Sequence, residues 1–126
     1  MKLFPKERRR AQRSQHTTTV VFTVRSGKNP ERVSSPVTAT AEDLSDQGMS
    51  VVTSRIAPDG IHIMYDTLMT TRNRVDATIF AAEGNPVRVV GQVIWFRRVD
   101  RPQGPYLFGM RFDANSPELK EQLHLE

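Results

Sequence analysis

Two short patterns in this chain carry the residue types that hold a charged, planar ligand. Arg9 and Arg13 stand four apart in the basic run Glu7-Arg8-Arg9-Arg10-Ala11-Gln12-Arg13. A guanidinium is a flat fork of donors. It grips a phosphate or a pair of acceptors on a base edge through parallel hydrogen bonds, and its plane stacks on rings; an ammonium does neither with the same geometry. Further along, Asp43-Leu44-Ser45-Asp46-Gln47-Gly48 sets a carboxylate, a hydroxyl and a glycine at D-x-S-x-x-G spacing. The carboxylate accepts two hydrogen bonds side by side, and the hydroxyl both donates and accepts. Glycine admits a positive φ and lets backbone or ligand come close. Each pattern alone also has a plain reading, the first as a solvated tail and the second as an Asx-type turn.

The elements that must position these residues read as β-structure. Val20, Phe22 and Val24 alternate with Val21, Thr23 and Arg25, the period of a half-buried strand. Ser26 to Pro36 is a loop by its turn residues, and Val37 to Leu44 returns as a second strand ending in the acidic motif. On that strand Asp43 and Ser45 lie two apart and are expected to project together. A third strand is expected over Met49–Thr53 and a fourth over Ile61–Tyr65. Val75–Ala82 and Val87–Val99 should form a hairpin around Glu83-Gly84-Asn85-Pro86, and Tyr106–Phe112 a closing strand. Six to seven short strands with tight connections favour an all-β fold, a small antiparallel barrel whose closure removes exposed edges. Ser116, Pro117 and Glu118 suit the cap and first turn of a short C-terminal helix, with Leu119 and Leu123 on its apolar side.

In this order, separated by one hairpin of chain, the two patterns resemble the two halves of the PilZ domain signature. PilZ domains are bacterial receptors for cyclic di-GMP. Val93-Ile94-Trp95 and Gly109-Met110-Arg111-Phe112 resemble the family's closing strands, so the likeness spans residues 7 to 123. Ser14-Gln15-His16 after the second arginine and Met49 after the motif glycine depart from the usual pattern. The resemblance implies a ligand site of Arg9, Arg13, Asp43, Ser45 and Gly48, with Arg8 and Arg10 as further contacts. Cyclic di-GMP carries two phosphates and two guanines. Guanine O6 and N7 match an arginine fork, and guanine N1–H and N2–H match a carboxylate.

Composition sets the frame. At 126 residues, 37% hydrophobic and 25% charged, the chain is sized for one domain. Residues 1–16 hold six of the 18 Lys and Arg and one of the 14 acids, a net of +5; the remainder carries twelve bases against thirteen acids. All the excess charge therefore sits in one segment. We expect a flexible basic arm over 1–16 and a PilZ-like barrel with its helix over 17–126. With no cysteine, no apolar run of membrane length and no secretory-type N-terminus, a cytoplasmic setting is expected.

The function expected from these readings is a non-catalytic receptor. Cyclic di-GMP would order the arm against the barrel, creating a surface for a downstream protein partner. No cofactor and no metal is expected, since His16, His62 and His124 are isolated and no nucleophile elbow surrounds Ser45. The alternative is a small basic barrel binding single-stranded nucleic acid through the arm and stacking aromatics. Against it, Trp95, Phe96, Phe80 and Phe108 fall in apolar strand patterns and are expected in the core. Arg97, Arg98 and Arg101 read as a solvated strand end.

Overall fold

A computed structural model describes residues 18–81 and 84–122. Six antiparallel strands close into one barrel. They are β1 (Thr18–Arg25), β2 (Val37–Leu44), β3 (Gly48–Thr53), β4 (Arg74–Phe80), β5 (Val87–Arg101) and β6 (Gly104–Phe112). Around the ring the order is β1-β2-β3-β6-β5-β4, with β1 sealed against β4 from Thr19↔Phe80 to Arg25↔Arg74. The period-two patterns produce this directly. Val20, Phe22, Val24, Val51, Val75, Ala77, Ile79 and Val93 point inward and are buried, and Phe22 meets Phe108 edge to face at 5.5 Å between ring centres. A short helix, α1 (Pro117–Gln122), follows, and its Leu119 is wholly buried in the same core. Ser116 caps it, accepting from the Leu119 N–H at 3.4 Å. Leu123, expected on the same face, lies outside the described residues.

One expected strand is absent. Residues 61–65 follow a 3-10 turn (Pro58–Gly60) and form a plug, pairing in no ladder except a single bridge of Tyr65 with Arg72. Their alternation has another cause. Ile61 and Ile63 are buried in the mouth of the barrel, while the backbone between them bonds locally: Ile63 N–H donates to the Ile56 carbonyl at 2.9 Å. Asn73 replaces a neighbouring strand. Its side chain donates to the His62 carbonyl at 2.7 Å and accepts from Gly27 N–H at 3.0 Å. Alternation therefore marked burial here, not pairing.

The loops at this mouth are braced by carboxylates. Thr70 Oγ1 donates to Asp66 at 2.8 Å, and the Thr70 N–H donates at 2.7 Å. These bonds, with the Thr71 N–H and Lys28, hold the Asp66 carboxyl below its usual range; the Ser35 N–H and hydroxyl do the same for Asp59. Because both folded values lie below the ordinary 3.8, their contribution is complete above it and is lost as pH falls through the folded values. Asp59→Asn/Asp66→Asn should therefore lower the denaturation midpoint at neutral pH yet match the parent near pH ~2–3. A gap that persists in acid would refute this bracing.

Candidate ligand-binding site

The D-x-S-x-x-G turn joins β2 to β3, and its three fixed residues have three different jobs. Ser45 is 1% exposed. Its hydroxyl accepts from Gln47 N–H at 3.1 Å and Gly48 N–H at 3.3 Å, while Ser45 N–H donates to the Gly48 carbonyl at 3.0 Å. The side chain is thus folded into the turn it closes, and does not project beside Asp43. The bulge between Ala41 and Asp43 turns Asp43 to the outer wall, and β2 ends at Leu44, so Ser45 lies in the turn, outside the strand's alternation. Leu44 goes to the core, and Glu42 and Asp43 are half-buried at the wall. Ser45→Ala should cost about 1–2 kcal/mol of stability through the orphaned turn amides. Chemical denaturation of the ligand-free protein reads this, and no loss would return Ser45 to a purely ligand-facing role.

Gly48 is required for close approach, not for a positive φ. The positive-φ glycines among the described residues are Gly60, Gly84 and Gly104. A Cβ on Gly48 would stand 2.3 Å from the Met110 carbonyl oxygen of β6. The rest of the turn is anchored to the chain leading into α1, for Phe112 N–H donates to the Gln47 carbonyl at 2.9 Å and Ser116 N–H to that of Asp46 at 2.7 Å.

Strand register then assembles an outward-facing row. Asp43 pairs with Ser50, Ser50 with Gly109, and Gly109 with Trp95, so four neighbouring strands each contribute one position at one level. Ser50 and Gly109 alternate with the core residues Met49, Val51, Phe108 and Met110, which places them on the outer wall. The Ser50 hydroxyl donates to Asp43 Oδ2 at 3.1 Å. Gly109 has no side chain where one would collide with the Trp95 indole, 2.3 Å from its Nε1. The indole therefore lies against Gly109 on β6, a flat apolar panel on the same wall as the Asp43 carboxylate.

Arg101 adds charge to this wall. It pairs with Glu42 although β6 and β3 stand between β5 and β2 in the ring, so the end of the long β5–β6 hairpin folds across the outside. Val52 and Leu107, which alternate with core residues and face outward, are nonetheless buried, at 0% and 5% exposure.

The aromatic expectations divide. Phe108 is in the core, but Trp95 lies on the outer wall, and Phe80 and Phe96 are 43% and 41% exposed. Bulges between Val93 and Trp95 and between Arg98 and Arg101 shift the alternation of β5, which period-two counting could not anticipate. Phe80 lies at the rim beside Thr19, and Phe96 lines the opposite mouth, so the three do not share one stacking groove. Trp95 and Arg101 are the wall residues that sequence reading missed. Gly109 within an otherwise bulky strand, together with the only tryptophan of the sequence, was the available signal for the first.

Arg8, Arg9, Arg10 and Arg13 lie outside the described residues. They fall within the comparison with known families, in which a model described as PilZ domain matches residues 7–125. The chain belongs to the PilZ domain family. PilZ domains are cyclic di-GMP receptors, binding domains and not enzymes. Neither the curated proteins nor the solved structures yield a match. Among the described residues, no helix of this PilZ domain is long and apolar enough to cross a membrane, and no group of three His, Asp or Glu could hold a metal ion.

Proposed function

We propose that this PilZ domain is a cyclic di-GMP receptor whose N-terminal segment closes over the outer wall at Asp43 and signals to a partner protein. The observation that carries the reading is the pairing of Thr18 with Ala41. It puts the start of β1 at the same end of the barrel as the motif turn, two residues from Asp43. Arg13 is five residues before Thr18 and Arg9 nine, so extended chain allows reaches of about 17 Å and about 30 Å. The wall row from β2 to β5 crosses three strand spacings, about 14 Å in all. Both arginines can therefore face Asp43 and the indole across a ligand.

The roles follow from chemistry. Arg9 and Arg13 supply forks for phosphate and for guanine O6 and N7, with Arg8 and Arg10 as further cations. Asp43 accepts from guanine N1–H and N2–H, Ser50 setting its orientation, and Trp95 offers a stacking surface. Ser45 and Gly48 hold the turn. The partner reads the composite of segment, ligand and wall, which exists only in the bound state. A cytoplasmic setting is the one in which a soluble nucleotide second messenger would meet this receptor.

Isothermal titration tests this. Cyclic di-GMP should bind at micromolar affinity or tighter and cyclic di-AMP far more weakly, since adenine offers an N6 donor where guanine has the O6 acceptor. Raising salt from low to physiological should weaken cyclic di-GMP only modestly. A single-stranded oligonucleotide would instead show a slope near −0.7 per phosphate contacted. Equal affinity for the two cyclic dinucleotides would sink the guanine reading, and steep oligonucleotide binding with no cyclic di-GMP binding would install nucleic acid in its place.

A further inference from the structure

The mouth of the barrel opposite the motif turn holds a cavity of about 900 Å³. It lies at the other pole, since its wall includes Ser26, just past the end of β1, whereas the motif turn lies beyond the start of that strand. The volume falls in the range of small-molecule sites. Its floor is apolar, with Ile61 buried and Met64 half-buried, and Phe96 stands at one side, edge to face with the His62 ring at 5.2 Å.

Two features exceed what a plug requires. Leu68 and Met69, 70% and 71% exposed, stand at the cavity rim on a loop that is held firmly. Asp66 accepts from Thr70 and Thr71, Met69 N–H donates to the Asp66 carbonyl at 2.9 Å, and Met69 sits at φ 58. Large apolar side chains kept in water on a braced, left-handed turn mark a surface that something else covers. The second feature is charge. Lys28 and Arg32 line the same rim and are exposed. The one lining carboxylate, Asp66, is 11% exposed and already occupied by threonine donors, with Lys28 at a loose 3.6 Å. Arg32 gives one N–H to the Asp59 carbonyl. His62 accepts from Met64 N–H through Nδ1, which leaves a donor on Nε2, and burial lowers its pKa so that the ring is neutral at pH 7.

We propose that this cavity is a second binding site, for a small amphiphilic anion: an aryl or acyl body carrying one acidic group. The body lies on Ile61, Met64 and Phe96 with Leu68 and Met69 closing over it, and the acid meets Lys28 and Arg32. The site shares no residue with the outer-wall row and does not depend on the cyclic di-GMP reading.

The full chain is titrated with 8-anilinonaphthalene-1-sulfonate and, in parallel, with N-phenyl-1-naphthylamine, the same aryl body without the sulfonate. The anion should show enhanced, blue-shifted emission saturating at micromolar concentration, at least tenfold tighter than the neutral dye, and dodecanoate should displace it. Lys28→Gln/Arg32→Gln should weaken the anion about tenfold and leave the affinity of the neutral dye unchanged. Equal binding of the two dyes, no saturable enhancement, or an anion affinity indifferent to the double variant would each overturn the proposal; the last would assign the anion to another basic surface. A cyclic di-GMP titration of the same variant should match the parent, so failure at either pole is read separately.

Discussion

Alanine at Arg9 or at Arg13 should lower cyclic di-GMP affinity about a hundredfold while leaving the unfolding of the ligand-free protein where it was. A hydrogen bond to a charged group is worth roughly 1.5–3 kcal/mol, so loss of a two-pronged contact removes about 3 kcal/mol, or two decades. The stability half of the prediction rests on the core, which among the described residues runs from Val20 to Leu119 and is built from barrel, plug and helix. Arg13→Lys is the informative control. It keeps the charge and discards the planar fork, so it should recover little of the lost affinity. Calorimetric titration with parallel urea denaturation decides the matter. If the alanine variants lower the midpoint as much as the affinity, the segment is part of the fold and the proposed closure fails.

Gly48→Ala should damage the protein before any ligand arrives. The added methyl meets the Met110 carbonyl at 2.3 Å, and a backbone oxygen cannot swing aside as a side-chain tip can. Relief requires β3 to part from β6 at the register Gly48↔Arg111. Overpacking of this kind costs about 1–3 kcal/mol, and we expect the upper end, a fall in melting temperature of roughly 10 °C. Cyclic di-GMP affinity should drop with it, because the displaced turn carries Asp43 out of line with Ser50. Gly60→Ala is the comparison. There the φ is +81 but the nearest atom is the Arg32 side chain at 3.4 Å, so only conformational strain of about 1 kcal/mol is expected. Unchanged melting of Gly48→Ala would mean that the strands have slack at this crossing.

The barrel was legible because its inward residues obey period two over most strands. Val20 to Val24, Val75 to Ile79 and Val87 to Val93 could be assigned by counting, and the Ser116-Pro117-Glu118 start of α1 by capping chemistry. Counting failed wherever one residue was inserted. The bulges after Ala41 and Val93 turned Asp43 and Trp95 outward, and neither carries a local sequence mark as strong as a turn does. Ile61 and Ile63 failed differently, since a buried plug and a buried strand share a pattern and differ only in the partner of their amides. Of the candidate site, Asp43 could be placed from sequence at the end of its strand, but the company it keeps on the wall follows from ring order, a long-range property.

The division of labour within the turn bears on how such a motif should be read across lineages. Ser45 and Gly48 are held by the needs of folding, through the amides of Gln47 and Gly48 and through the crossing of β3 over β6. Asp43 stands on the wall, where it accepts from the Ser50 hydroxyl of the next strand. In a descendant that no longer sees the nucleotide, selection would keep the serine and glycine and release the arginines. A surviving S-x-x-G then testifies to ancestry, and the arginine pair testifies to present use.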